Sequence, residues 1–219
     1  MNIAVKGQAI QIEELQAKLG AQFTLSPLKI TELSSYDVVF DLDFDDDPEH
    51  LESYGEQSDL LVVIGAVKVQ LEELPAVLGR ALKCTLIGMN CLPTFINRSL
   101  VEVSVMSASN ESKAKALAEK LGWELRFVNS RIGMVTPRIV CMIINEAFFT
   151  VQEGTATAED IDLGMKLGTA YPKGPFEWCE QIGIINVYEV LNAMYEDTHD
   201  ERYKICPALK TAYLKAMAS

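Results

Sequence analysis

The sequence predicts an α/β domain over residues 1–130 followed by an all-helical domain over 131–219, and three observations carry that reading. Short apolar runs and helical patterns alternate through the first part, as strands and helices in turn would. The run DLLVVIGAV at 59–67 is almost continuously apolar, which suits a central parallel strand covered on both faces. From Pro137 the period changes: PRIVCMIINEAFFTVQ reads as one long helix in which Arg138, Asn145 and Glu146 are the strongly polar interruptions before Gln152.

Each element follows from its own residues. NIAVKG at 2–7 is a short strand, and IEELQAKLG at 12–20 is an amphipathic helix stopped by Gly20. QFTLSPL is a second strand whose extent Pro27 limits. In YDVVFDLDF at 36–44, Val38, Val39 and Phe40 form an apolar start. Asp41, Asp43 and Asp45 then alternate with Leu42 and Phe44, a pattern read as continuing strand. Beyond LEELPAVLGRA come CTLIGMN at 84–90, LVEVSVM at 100–106 and WELRFVN at 123–129, with the helix ESKAKALAEKLG before the last. That makes a sheet of roughly five to seven strands. In the helical part Thr157 caps a helix, with Asp160 three residues on in the manner of a capping box. IDLGMKLG, YPKGPFEW and a helix from Ile182 or Asn186 to Glu196 complete it.

Composition narrows the function classes. With 31 acidic against 19 basic residues, the chain carries a formal net charge of -12, which repels a polyanion in the absence of a local basic patch. No such patch is present, so no nucleic-acid partner is expected. The five cysteines (84, 91, 141, 179 and 206) are scattered and form no CxxC, so they read as reduced thiols of a cytoplasmic protein, with neither a disulfide framework nor a metal. No stretch reaches the length of a membrane span and MNIAVKGQAIQIEE lacks the order of a signal peptide, so no membrane association is expected.

An α/β domain opening on NIAV invites a dinucleotide-binding reading, in which glycines after the first strand admit a pyrophosphate to a helix N-terminus. The turn KGQAIQIEE holds one glycine where the fingerprint needs three, and Glu13 and Glu14 follow it. A tight, conventional NAD site is therefore not expected at this turn. The acidic run at 41–47 offers carboxylates to a hard cation but lacks a cation-binding loop pattern, and it reads instead as a solvated edge or loop. His50 and His199 are isolated in polar surroundings and receive no role.

The stretch GMVTPRIVCMIINEAFFTVQEGTATAEDIDLGMKLGTAYPKGPFEW at 133–178, through its combination of IINEA, EDID, MKLG and YPKGPFEW, resembles the C-terminal helical domain of the 3-hydroxyacyl-CoA dehydrogenase family. Upstream, GMNCLPTFINRSLVEV at 88–103 lies without a gap on the stretch that ends the family's NAD domain. The resemblance implies a truncated Rossmann-like domain followed by a helical domain like the C-terminal one of 6-phosphogluconate dehydrogenase. It also implies NAD as cofactor, oxidation of 3-hydroxyacyl-CoA in fatty acid metabolism, and a homodimer built by the helical domain.

The family's His/Glu pair takes the hydroxyl proton on the imidazole while the carboxylate orients it. The carboxylate falls on Glu102, but the histidine falls on Asn90, whose carboxamide has no useful basicity near neutral pH. A substrate-contacting asparagine falls on Pro137, followed by Arg138, and the Ser-rich turn after the central strand falls around Ala66–Val69. Lys173 is the candidate in YPKGPFEW for an anionic group such as a CoA phosphate, with Arg138 a second substrate-binding candidate. Against these stand plainer readings: Glu102 as a solvated strand position, Asn90 as a turn former, and Tyr171, Pro172, Gly174 and Pro175 as shapers of a turn carrying Phe176 and Trp178 inward. Two functions follow. One is an NAD-dependent 3-hydroxyacyl-CoA dehydrogenase; the other is a noncatalytic acyl-CoA-binding or assembly subunit that keeps the scaffold.

Overall fold

The computed structural model describes residues 1–218 and divides them into two compact units, Met1–Met134 and Val135 onward. The first contains a seven-stranded sheet. Its strands are β1 (Ile3–Lys6), β2 (Leu25–Pro27), β3 (Val38–Asp41), β4 (Leu61–Gly65), β5 (Thr85–Met89), β6 (Leu100–Ser104) and β7 (Glu124–Phe127), in the spatial order β2-β1-β3-β4-β5-β6-β7. All neighbours run parallel except β5 and β6, which are antiparallel. β4 lies between two parallel partners and is buried over Val62 to Gly65, which accounts for its unbroken apolar sequence.

Helices cover both faces. Helix α1 (Ala9–Leu19) and helix α4 (Ala108–Leu121) place Leu15, Leu19, Ala114, Leu117 and Leu121 against Val5, Phe40, Val63 and Ile87. The short helices α2 (Leu51–Gly55) and α3 (Leu74–Leu78), with 3₁₀ turns at Ile30–Ser35 and Leu71–Glu73, cover the opposite face through Leu33, Tyr54, Leu71 and Leu74. The chain thus leaves β1 over one face and β3 over the other. The sheet therefore has a topological switch point between β1 and β3, where ligands of open α/β sheets bind outside the carboxyl ends of the strands.

The alternating Asp41-to-Asp45 segment is not strand: β3 ends at Asp41, and 42–47 form a run of turns. The loop turns inward at Leu42 and Phe44, which are buried, so alternation that looked like pleat is a series of inward anchors.

The second unit is helical throughout its described residues. It comprises α5 (Thr136–Gln152), α6 (Ala158–Thr169), α7 (Pro175–Ile182), α8 (Ile184–Thr198) and α9 (Pro207–Met217). Pro137 occupies the first turn of α5, where a missing N–H costs no intrahelical bond. The Thr157 hydroxyl caps α6 by accepting the Asp160 N–H. Asn145 of α5 is buried and clamps the segment leading into α9: its amide donates to the Lys204 carbonyl and its oxygen accepts the Cys206 N–H, both at 2.9 Å. Asp162 of α6 accepts the N–H groups of Phe176 (2.8 Å) and Glu177 (3.1 Å) at the start of α7. Gly174 is seated so closely on Asp162 that a Cβ there would lie 2.2 Å from its carboxylate. Thus EDID and YPKGPFEW are two halves of one joint: a carboxylate caps a helix whose entry only glycine fits. No described helix is long and apolar enough to cross a membrane.

Candidate functional site

The antiparallel step from β5 to β6 brings Asn90 and Glu102 together. The register pairs Met89 with Val103, so Asn90 and Glu102 stand opposite one another, and the Asn90 N–H donates to the Glu102 carbonyl at 3.2 Å. Side chains at directly opposed positions share one face of the sheet, with Cβ atoms about 5 Å apart. Asn90 is buried, and its side-chain oxygen accepts the Leu92 N–H at 3.3 Å, an Asx-type turn that shapes the start of the loop 91–99. The oxygen keeps a second lone pair and the amide nitrogen keeps its N–H donors, but the delocalised carboxamide has no useful basicity near neutral pH, so Asn90 can hydrogen-bond a ligand and cannot act as a base. Glu102 is partly exposed, between buried Val101 and Val103.

At the switch point the carboxyl ends of β1 and β3 carry a dense ionic network. The Lys6 ammonium lies 2.8 Å from Asp43, 3.2 Å from the Asp47 carboxylate and 3.5 Å from Asp41. Asp41 is fully buried and accepts the Tyr54 hydroxyl at 2.8 Å. Burial pushes the Asp41 carboxyl up to about 7, against the Tyr54 hydrogen bond and the Lys6 charge, which pull the other way. Burial acts to lower the Lys6 pKa, but hydrogen bonding to Asp43 and the charges of Asp41 and Asp43 outweigh it and leave the ammonium well above its usual value. Partly buried Asp45 crosses to the turn after β4, accepting the N–H groups of Val67 (2.8 Å) and Lys68 (3.1 Å). Burial raises its pKa to about 6 although those two donors oppose the shift.

The βα turn after β1 is closed over by the same loop. Gly7 lies against Leu42 so tightly that a Cβ would come within 2.9 Å of the Leu42 side chain. Gln11, buried on α1, donates to the carbonyls of Leu42 (3.0 Å) and Cys91 (2.9 Å), and its oxygen accepts the Gln8 N–H at the helix start. Glu14 turns away to accept the Thr94 N–H at 2.6 Å. The acidic run is accordingly a loop, the second half of the solvated edge-or-loop reading, but one drawn partly inward. Asp41 sits at the end of a central strand, and burying it requires the Tyr54 and Lys6 partners it has.

The remaining sequence candidates lie in the helical unit and are held by neighbours there. The Arg138 guanidinium hydrogen-bonds the Tyr203 hydroxyl and lies over its ring. Lys173 hydrogen-bonds Gln181 and lies over the Trp178 ring. Trp178 is buried and Phe176 packs on Phe148 with ring centres 5.0 Å apart. Sequence reasoning missed Lys6, Gln11 and Tyr54. A lysine ending the first strand, facing an acidic run that follows a later parallel strand, was the available signal for the first of them.

Residues 133–217 match the sequence profile of the 3-hydroxyacyl-CoA dehydrogenase C-terminal domain. The helical unit therefore belongs to the 3-hydroxyacyl-CoA dehydrogenase C-terminal domain family. A probable 3-hydroxybutyryl-CoA dehydrogenase of Bacillus subtilis is 36% identical over 149 residues, which span 67% of this chain and 51% of that protein. The 3-hydroxyadipyl-CoA dehydrogenase of Escherichia coli is 41% identical over 78 residues, covering 36% of this chain and 16% of that one. The chain thus spans about half, or less, of the length of these curated relatives. Among solved structures, the (S)-3-hydroxybutyryl-CoA dehydrogenase of Ralstonia eutropha superposes with a TM-score of 0.77 at 21% identity, covering 98% of this chain and 94% of that one. The architecture is accordingly the family's, a Rossmann-type sheet followed by a helical domain.

Proposed function

We infer that this chain binds an acyl-CoA thioester as a noncatalytic member of the 3-hydroxyacyl-CoA dehydrogenase family. The observation that carries the reading is Asn90. It stands directly opposite Glu102, where the family resemblance places the histidine of the pair, and it carries a non-basic carboxamide whose oxygen accepts the Leu92 N–H. A donor at that position supports holding a thioester or 3-oxo carbonyl. It does not support taking a proton from a 3-hydroxyl, a step worth about 10² to 10⁴ in rate. The relatives named for CoA thioesters, 3-hydroxybutyryl-CoA and 3-hydroxyadipyl-CoA, supply the ligand class. The carbonyl contact is assigned to Asn90, since Arg138 and Lys173 are engaged within the helical unit.

Calorimetric titration with acetoacetyl-CoA tests this. Wild type should bind, and Asn90→Ala should weaken binding by about 2- to 12-fold, the worth of one net hydrogen bond. Absence of binding to wild type at millimolar ligand would overturn the reading.

We also propose a homodimer through the helical unit. Helix α6 buries none of its residues, and its Leu163 and Leu167 are 53% and 78% exposed. A second copy covering that face is the occupant proposed, since such a stripe on a soluble helix normally lies against another element. A folded, monodisperse monomer in sedimentation at micromolar concentration would contradict it.

A further inference from the structure

We propose that the loop 41–47 is a built-in occupant of the crevice at the β1/β3 switch point, so that the crevice holds this chain's own carboxylates in place of a dinucleotide. The two requirements for a pyrophosphate at such a crevice are backbone approach at the βα turn and free N–H groups at the helix start. Neither is met. The close approach that Gly7 permits is taken by Leu42, and the Gln8 N–H is taken by the Gln11 oxygen. The Gln11 amide, in turn, ties the loop down at the Leu42 carbonyl and the loop after β5 at the Cys91 carbonyl.

The loop also reaches the next strand. The turn after β4 presents two adjacent N–H groups, of Val67 and Lys68, and the Asp45 carboxylate bridges both. Lys68 makes an ion pair with Asp46 at 2.5 Å, and Lys6 is shared among Asp41, Asp43 and Asp47. The Lys6 and Lys68 ammonium groups and the Val67 and Lys68 N–H groups therefore already face carboxylates from 41–47. A diphosphate entering here would have to displace Leu42 from Gly7 and would meet five aspartates within seven residues, a repulsive field. The NAD that the family resemblance implies does not fit these residues. This holds independently of the acyl-CoA reading, which concerns Asn90 and Glu102.

The test reads the loop itself. Amide hydrogen exchange on the full chain should show Gln8, Val67 and Lys68 protected. In Asp45→Ala, exchange at Val67 and Lys68 should rise at least about tenfold while the β4 and β5 amides stay protected. Millimolar NADH added to wild type should leave all three amides unchanged and give no calorimetric isotherm. Binding of NADH accompanied by altered exchange at Gln8, Val67 or Lys68 would overturn the proposal, because the loop would then be a displaceable cover over a working site. Unchanged exchange at Val67 and Lys68 in Asp45→Ala would also overturn it. The NADH arm uses wild type and does not depend on any variant folding. Acetoacetyl-CoA binding serves as the separate readout for the function proposed above.

Discussion

Replacing Gln11 by methionine keeps the length of the side chain and removes its polar end. The Leu42 and Cys91 carbonyls then lose their donor at sites where both residues are 2% exposed, so water does not replace it. The Gln8 N–H loses an acceptor too, but Gln8 is exposed and regains water. An orphaned buried carbonyl costs about 1–3 kcal/mol, so the two together give about 3 kcal/mol after partial relief from burying the thioether. For a unit of this size that is a fall of about 10 °C in Tm. Gln16→Met is the matched control. Its amide also donates to two carbonyls, those of Gly20 (3.1 Å) and Phe23 (3.0 Å), but these residues are only partly buried and water substitutes. Its cost should stay below about 1 kcal/mol. Urea and thermal unfolding of wild type and both variants make the comparison. Equal losses for the two variants would show that Gln11 is not what pins the loop over the βα turn.

Two further outcomes follow from the geometry. Asp41 and Asp45, pushed up to about 7 and about 6, keep protons in the folded state that the unfolded chain releases near pH 4. Stability should therefore fall as pH rises from about 4 to about 7, and Tm should climb on acidification from about pH 8 to about pH 5. Asp41→Asn should flatten that slope, and an unchanged slope would refute the assignment. In the helical unit, Asp162→Ala should cost about 1–2 kcal/mol through the lost cap of α7. Gly174→Ala should cost at least as much, and the double variant less than the two losses added, since the clash partner is gone. Strict additivity in denaturant titrations would contradict the joint.

Legibility from sequence depended on how local the determinants were. β4, α4 and α5 were readable because each carries its own signal: an apolar run, an amphipathic repeat, a change of period. The opposition of Asn90 and Glu102 follows from the placement of both on stretches that resemble the family, and the structure realises it as an antiparallel pair. For 41–47 the loop reading holds, but the alternation also has the period of a strand, and the partners that bend the loop inward are far away in sequence. Lys6 lies 35 residues before Asp41, and Val67 lies 22 after Asp45. Gln11 was equally hidden, since a glutamine on an amphipathic helix looks like solvent-facing polarity until the carbonyls of Leu42 and Cys91 are placed beneath it.

We propose that the scaffold of a 3-hydroxyacyl-CoA dehydrogenase persists here without its hydride-transfer chemistry. The most direct measurement is the steady-state rate of NADH oxidation with acetoacetyl-CoA, using highly purified wild type beside Glu102→Gln. Neither protein should exceed the buffer rate, because Asn90 supplies no acid–base group and residues 41–47 fill the crevice. Robust wild-type turnover that drops by about 100-fold or more in Glu102→Gln would contradict it and place a working active centre around that carboxylate.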